Sequence, residues 1–375
     1  MKAAATTIAA GVTLGLMRRR SQAAQDAKYV VCVTGGSGFL GSWCVKLCLE
    51  RGWTVRATTR SVCKADFLKA LPGAAERLTI VPGCDLQVAG SFDAAIAGCD
   101  AVLHTASPFF FAGGSRANLV APAVEGTENV LDACTRLGVA RVALTSSTAA
   151  IYVNYGTVDN EHVYSDKDWS DEALMEANEN FYCLSKTLAE KRAWDLSKAA
   201  GCPWKLASMN PCWILGPMLP SQPHLNTSSN GLVMFLDGTN SEVPPGCKLV
   251  VDVRDVAAAH VAAAGQDPAW SGWGRRYLLA GGSPTWESMV ATMRSVVSVE
   301  QGAALPTVLT PPPGPGAAPG AAGAQPPFVT LADVGPSEEL LGITYYSAEE
   351  MVASNIKSCL GNSLASTAQY EHRVQ

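Results

Sequence analysis

Tyr182 and Lys186, four residues apart in the string Asn180-Phe181-Tyr182-Cys183-Leu184-Ser185-Lys186, form the only Tyr-x-x-x-Lys in this chain. On a helix, positions i and i+4 share one face. An ammonium held near a phenol favours the phenolate and lowers its pKa from about 10. A tyrosine tuned in this way can give a proton to a carbonyl oxygen as hydride reaches the carbon, or take it back in oxidation. The lysine can also hold a nucleotide ribose. A hydroxyl cluster, Thr145-Ser146-Ser147-Thr148, ends an earlier apolar run. Ser147 is the favoured member to polarise the same carbonyl and orient Tyr182, with its neighbours Ser146 and Thr148 left open. The plainer alternative is a hydroxyl-rich strand end that bonds only its own backbone.

A second constellation lies near the start. The string VCVTGGSGFLG over 31–41 spaces Gly35, Gly38 and Gly41 three apart, directly after an apolar run and directly before a helical pattern. One glycine allows the tight turn, one lets the backbone approach a pyrophosphate, and one seats the helix on the strand. The helix N-terminus then offers N–H groups to the phosphates. Gly35, Ser37, Gly38, Phe39, Leu40 and Gly41 are therefore candidate dinucleotide contacts. The next apolar run ends Thr58-Thr59-Arg60, with Lys64 close behind and no acid before Asp66. NAD enzymes place an acid here for the ribose 2′-hydroxyl. A guanidinium suits a 2′-phosphate instead, which favours NADP(H). Asp85 and Leu86, after a third run, fit an adenine edge, although Asp85 also reads as a local cap. Thr105 and Ala106, in His104-Thr105-Ala106-Ser107, are small enough to sit beside a cofactor.

These groups need a frame that brings them together. Short β-branched runs at 29–34, 54–59, 78–81, 101–105, 141–146 and 204–209 read as buried strands. Helical patterns intervene at 42–51, 119–137 and 172–200. Alternating strands and helices predict an α/β fold: a doubly wound parallel Rossmann sheet with a smaller, loop-rich C-terminal substrate lobe. The expected dinucleotide domain covers 28–216, with 250–281 returning to it. The substrate lobe covers 217–249 and 282–362. Pro, Ser, Asn and Gly dominate 217–246, the helical pattern recovers over 337–360, and 303–327 is a Pro/Gly/Ala insertion too turn-rich to pack.

The chain has 375 residues and 48% hydrophobic content, enough to bury such a core. A net charge of −5 gives no basic field for nucleic acid. None of the 12 cysteines forms a C-x-x-C, and the 5 histidines are far apart in sequence, so neither a disulfide framework nor a metal site is expected. Residues 1–27 form a separate segment, acid-free before Asp26 and carrying Arg18, Arg19 and Arg20. They fit an organelle transit peptide, a disordered tail or a short anchor. The apolar part is shorter than the roughly 20 residues of a spanning helix, so membrane association is confined to residues 1–20. A cytoplasmic or organellar location, not secretion, follows from the reduced cysteines.

Taken in order, TGGSGFLGSW, TVRATTR, TSS, Tyr-x-x-x-Lys followed by TLAE, and NPCWILGP resemble the dihydroflavonol 4-reductase and cinnamoyl-CoA reductase family of extended short-chain dehydrogenases. The likeness covers 28–282 and the string PSEELLGITYYS. It implies an NADPH-dependent reductase of a small-molecule carbonyl, whether aldehyde, ketone or acyl-CoA thioester. It further implies a Ser147–Tyr182–Lys186 triad, 2′-phosphate contacts from Arg60 and Lys64, and a nicotinamide pocket near Pro211. Asn180–Cys183 and the run VDVRD at 251–255 are similar to the cinnamoyl-CoA reductase branch. That branch's H-x-x-K has no counterpart, the matching stretch being Gly231-Leu232-Val233-Met234. Tyr152 stands where flavonoid reductases carry an asparagine. The competing expectations are a 3β-hydroxysteroid-type dehydrogenase, a nucleotide-sugar epimerase or dehydratase, and an NADP(H)-sensing module without turnover.

Overall fold

Apolar runs too short for helices and rich in valine have to pair laterally to satisfy their backbone, and seven of them do so here. A computed structural model of the chain describes residues 28–107, 115–154, 161–298, 305–307 and 331–362. The N-terminal segment 1–27 and nearly all of the insertion 303–327 lie outside the described residues. The strands are β1 (Val30–Thr34), β2 (Thr54–Thr59), β3 (Leu78–Pro82), β4 (Ala101–His104), β5 (Arg141–Thr145), β6 (Lys205–Pro211) and β7 (Arg275–Leu279). They form one sheet in the order β7-β6-β5-β4-β1-β2-β3, every pair parallel. The order reverses between β1 and β4, the place where open α/β sheets bind ligands at their carboxyl ends.

Both faces are covered, and the alternation along β1 shows how. Val31 and Val33 join a core with Cys44 and Val45 of helix α1 (Phe39–Glu50). Cys32 points the other way, into a core with Val130 and Leu131 of α2 (Arg116–Arg136) and Trp194 of α3 (Phe181–Lys198). Ser115 caps α2 by accepting from the Asn118 N–H, a contribution of about 1 kcal/mol. All 12 cysteines are free thiols.

The predicted helix 172–200 is two helices. A short one, Glu172–Ala177, ends before Glu179, whose φ of 52° lies in the left-handed region. Asn180 then caps α3 by accepting from the Cys183 N–H. The break starts a fresh helix one residue before Tyr182 and so puts that phenol in a first turn. The stretch 217–246 is also more ordered than its composition implied, because it holds α4 (Thr227–Leu236). The H-x-x-K counterpart falls on this helix, where Leu232 and Val233 are buried. Beyond it come α5 (Val253–Ala264), α6 (Trp286–Val296), α7 (Gly335–Leu341) and α8 (Ala348–Gly361). The helical pattern at 337–360 thus divides at Gly342, which is left-handed with φ 67°. A separate core formed by Leu232, Phe235, Met289, Met293, Met351 and Ile356 unites α4, α6 and α8. Asn355 ties this lobe inward by donating to the Gly216 carbonyl at 2.8 Å.

Candidate active site

β1 ends at Thr34, and Gly35 turns the chain with φ +66°, a conformation that L side chains rarely adopt. A Cβ on Gly35 would stand 3.0 Å from Ala106 Cα, so the bare glycine admits the loop after β4. Gly38 donates to the Gly35 carbonyl at 2.9 Å and forms the N-cap of α1. A Cβ on Gly41 would fall 2.3 Å from the Gly35 oxygen, so only glycine lets this helix sit on its own turn. Phe39 and Leu40 occupy the first turn, which holds no acid and no side-chain cap. The partial positive charge of the helix end is thus left for an anion. Ser37 Oγ lies 3.3 Å from Thr59 Oγ1 and joins this turn to the end of β2. The exposed Arg60 follows directly, and the exposed Lys64 closes the short turn Val62–Lys64.

The end of β3 is more self-contained. An Asp85 carboxylate oxygen accepts from the Gln87 N–H at 2.9 Å in an Asx turn, while the next helix starts only at Asp93, so Asp85 is not a helix cap. Leu86 packs against α2 at Gly126, and its carbonyl accepts from Asn129 at 2.7 Å. Asp85 and Leu86 hold the loop that follows β3, the edge strand of the sheet. Thr105 Oγ1 donates to the Thr34 carbonyl at 2.6 Å, and the Ala106 N–H donates to Thr34 Oγ1 at 3.1 Å. These bonds fix the β4 loop beside the glycine turn. One residue further, Ser107 Oγ accepts from Lys186 Nζ at 2.6 Å. The phosphate turn and the Tyr/Lys helix are therefore linked through Gly35, Ala106 and Ser107.

The strand-end hydroxyls have distinct partners. Ser146 is buried and donates to Glu190 at 2.6 Å. Ser147 adopts an extended conformation, accepts from the Ala149 N–H at 3.1 Å and stands close enough to Tyr182 to oppose the rise in its pKa. Among the three candidates, Ser147 is the one turned to the phenol. Lys186 Nζ stands 5.7 Å from the Tyr182 ring centroid. Pro211 ends β6 and is buried beside β7. Tyr152 lies close enough to Tyr182 to influence it, and packs edge-on against Tyr164 at 6.2 Å.

Electrostatics correct one expectation. The Tyr182 phenol is raised above its ordinary value, not lowered, because burial outweighs the opposing effect of Ser147. The Lys186 ammonium is spent on Ser107, while its own burial brings it down to about 8. His104 is pushed down to about 3 by burial and by Lys186. Tyr182 thus stays protonated at neutral pH, the form a proton donor requires. A small cavity whose lining includes His104, Ser107, Leu144, Ser146, Lys186 and Glu190 lies beside the lysine. No motif or spacing marks Ser107 as the lysine's partner, or pairs Glu190 with Arg276. The one trace of Glu190 is its spacing, four residues beyond Lys186 on the same helix face.

Sheet order, glycine turn and Tyr/Lys helix define a dinucleotide-binding α/β protein of Rossmann type. The chain belongs to the NAD dependent epimerase/dehydratase family, whose model matches residues 31–272, and within it to the reductases resembling dihydroflavonol 4-reductase and cinnamoyl-CoA reductase. It is 40% identical to cinnamoyl-CoA reductase 2 of Arabidopsis thaliana over 253 residues, covering 67% of this chain and 72% of that one. It is 34% identical to tetraketide alpha-pyrone reductase 2 of the same plant over 271 residues, 70% of this chain and 81% of that one. Among solved structures, Gre2 of Candida albicans in complex with NADPH superposes with a TM-score of 0.73 at 30% identity, covering 89% of this chain and 99% of that one.

Proposed function

We propose that this protein reduces the carbonyl group of a small organic substrate, with Tyr182 as proton donor, Ser147 as the carbonyl-orienting hydroxyl and Lys186 as their electrostatic partner. The observation that carries this reading is the placement of the Ser147 side chain beside Tyr182, with Lys186 on the same helix face and the glycine turn one loop away. The protein is an NADP-dependent oxidoreductase, as its reductase relatives and the NADPH-bound neighbour support. The residues present fit that cofactor. A Cβ at Gly35 or Gly41 would strike the backbone that shapes the turn, the helix end after it carries no acid, and the β2 end presents Arg60 and Lys64.

In this reading the amides of Gly35–Gly41 hold the diphosphate, Arg60 and Lys64 hold the 2′-phosphate, and Lys186 holds the nicotinamide ribose. Bound NADPH supplies the hydride. Ser147 and Tyr182 together grip the substrate oxygen, which fixes the carbonyl for attack. Tyr182 passes its proton to that oxygen as negative charge develops there. Lys186, 5.7 Å from the ring, steadies the resulting phenolate until solvent returns the proton. The relatives are named for a cinnamoyl-CoA and for a tetraketide alpha-pyrone, which supports an aromatic or polyketide carbonyl as the substrate class. The test is cofactor consumption with a panel of aldehydes, ketones and acyl-CoA thioesters. Turnover with NADPH and a marked loss with NADH is expected; no turnover with any carbonyl would contradict the reading.

A further inference from the structure

We infer that Glu190 and Arg276 form a positioning brace that sets the Ser147–Tyr182 geometry; this rests on the catalytic reading above. Glu190 lies on α3 one turn beyond Lys186, and its side chain is fully buried. Arg276, on β7, is 5% exposed and pairs with it, Nε to Oε1 at 2.8 Å and Nη2 to Oε2 at 3.1 Å. Three more donors converge on the same carboxylate: Ser146 Oγ at 2.6 Å, Asn210 Nδ2 at 2.7 Å and Trp194 Nε1 at 3.2 Å.

The destinations of the remaining bonds give the brace its meaning. Arg276 Nη2 also donates to the Ala150 carbonyl at 3.0 Å, and Nη1 donates to the Asp168 carbonyl. Asn210 Nδ2 also donates to the Ser147 carbonyl at 3.2 Å. Ser146, Ser147 and Ala150 are thus all tethered, so the turn that presents the Ser147 hydroxyl is held on both sides. Each of these three tethers runs to Glu190 of α3, the helix that carries Tyr182: directly from Ser146, through Asn210 of β6 from Ser147, and through Arg276 of β7 from Ala150. The guanidinium of Arg276 also stacks on Trp169, 3.7 Å from the ring centroid, which adds a further hold on it. A buried ion pair is in general no more stabilising than an apolar pair of the same volume, so stability alone does not account for five hydrogen bonds on one carboxylate. A planar guanidinium with five donors reaches three carbonyls, those of Ala150, Asp166 and Asp168, and a carboxylate at once, which a lysine cannot do.

The test compares Arg276→Lys, Glu190→Gln, the charge-free double variant Glu190→Leu/Arg276→Met, and Tyr182→Phe as a control. Arg276→Lys keeps a cation opposite Glu190 but loses the reach to Ala150 and Asp168. Its kcat is expected to fall on the order of tenfold to a hundredfold, with NADPH affinity and substrate KM nearly unchanged. The double variant leaves no charge unpaired and is expected to recover thermal stability while its kcat stays low; it stands in for either single variant that fails to fold. A kcat that recovers with stability, or a folded Arg276→Lys with wild-type kcat, would overturn the brace. If Tyr182→Phe itself keeps turnover, the catalytic reading has failed instead.

Discussion

Gly41→Ala is the sharpest small perturbation the fold offers. The added methyl would sit 2.3 Å from the Gly35 carbonyl oxygen, 2.9 Å from its carbon and 3.0 Å from Gly36 Cα, all backbone atoms without rotamer freedom. Ordinary contact begins at 3.4 Å, so the start of α1 has to move by about 1 Å relative to the turn. Overpacking of this kind costs about 1–3 kcal/mol. Here the movement pulls apart the amides that form the phosphate cradle, so the cost falls on NADPH binding. Fluorescence titration should show NADPH affinity weakened roughly tenfold or more, taking 1.4 kcal/mol as tenfold. Gly361→Ala is the control: it is also helical, but nothing lies within 4 Å of its Cβ position, so affinity should not change. Wild-type NADPH affinity in Gly41→Ala would refute the cradle.

Two further outcomes follow from the same geometry. Arg60→Ala should lower kcat/KM for NADPH by roughly tenfold to a hundredfold, the value of a charge-assisted contact, while leaving the NADH rate unchanged; equal losses with both cofactors would remove Arg60 from the 2′-phosphate site. Buried His260, bonded to Thr145 and the Val256 carbonyl, has its pKa lowered from 6.5 to about 4 by burial. Its stabilisation is present above pH 6.5 and is lost as pH falls towards 4, because the unfolded chain takes up a proton that the folded one refuses. The total is about 3 kcal/mol, and urea melts at decreasing pH should show a shallower loss in His260→Gln than in the parent.

The framework was readable because it rests on local patterns. Valine-rich runs of strand length fix the sheet, and three glycines between a strand and a helix fix the turn. What escaped depends on tertiary contacts. No spacing rule distinguishes Ser146 from Ser147, since the choice is made by Glu190 drawing one hydroxyl inward. The break at Asn178–Asn180 follows from one left-handed residue, Glu179, inside an otherwise helical composition. Arg276 lies 86 residues from Glu190 in the chain, and a lone arginine in a strand carries no sign of its partner. The phenol moved opposite to expectation because Lys186 on the same face turned to Ser107, leaving burial as the larger effect.

The central claim is that Tyr182 delivers the proton. Cofactor consumption by Tyr182→Phe, measured with the best carbonyl substrate alongside NADPH affinity, tests it most directly. A fall in kcat of about a hundredfold to ten-thousandfold, with NADPH bound as before, is expected. Turnover near the parent rate would contradict it.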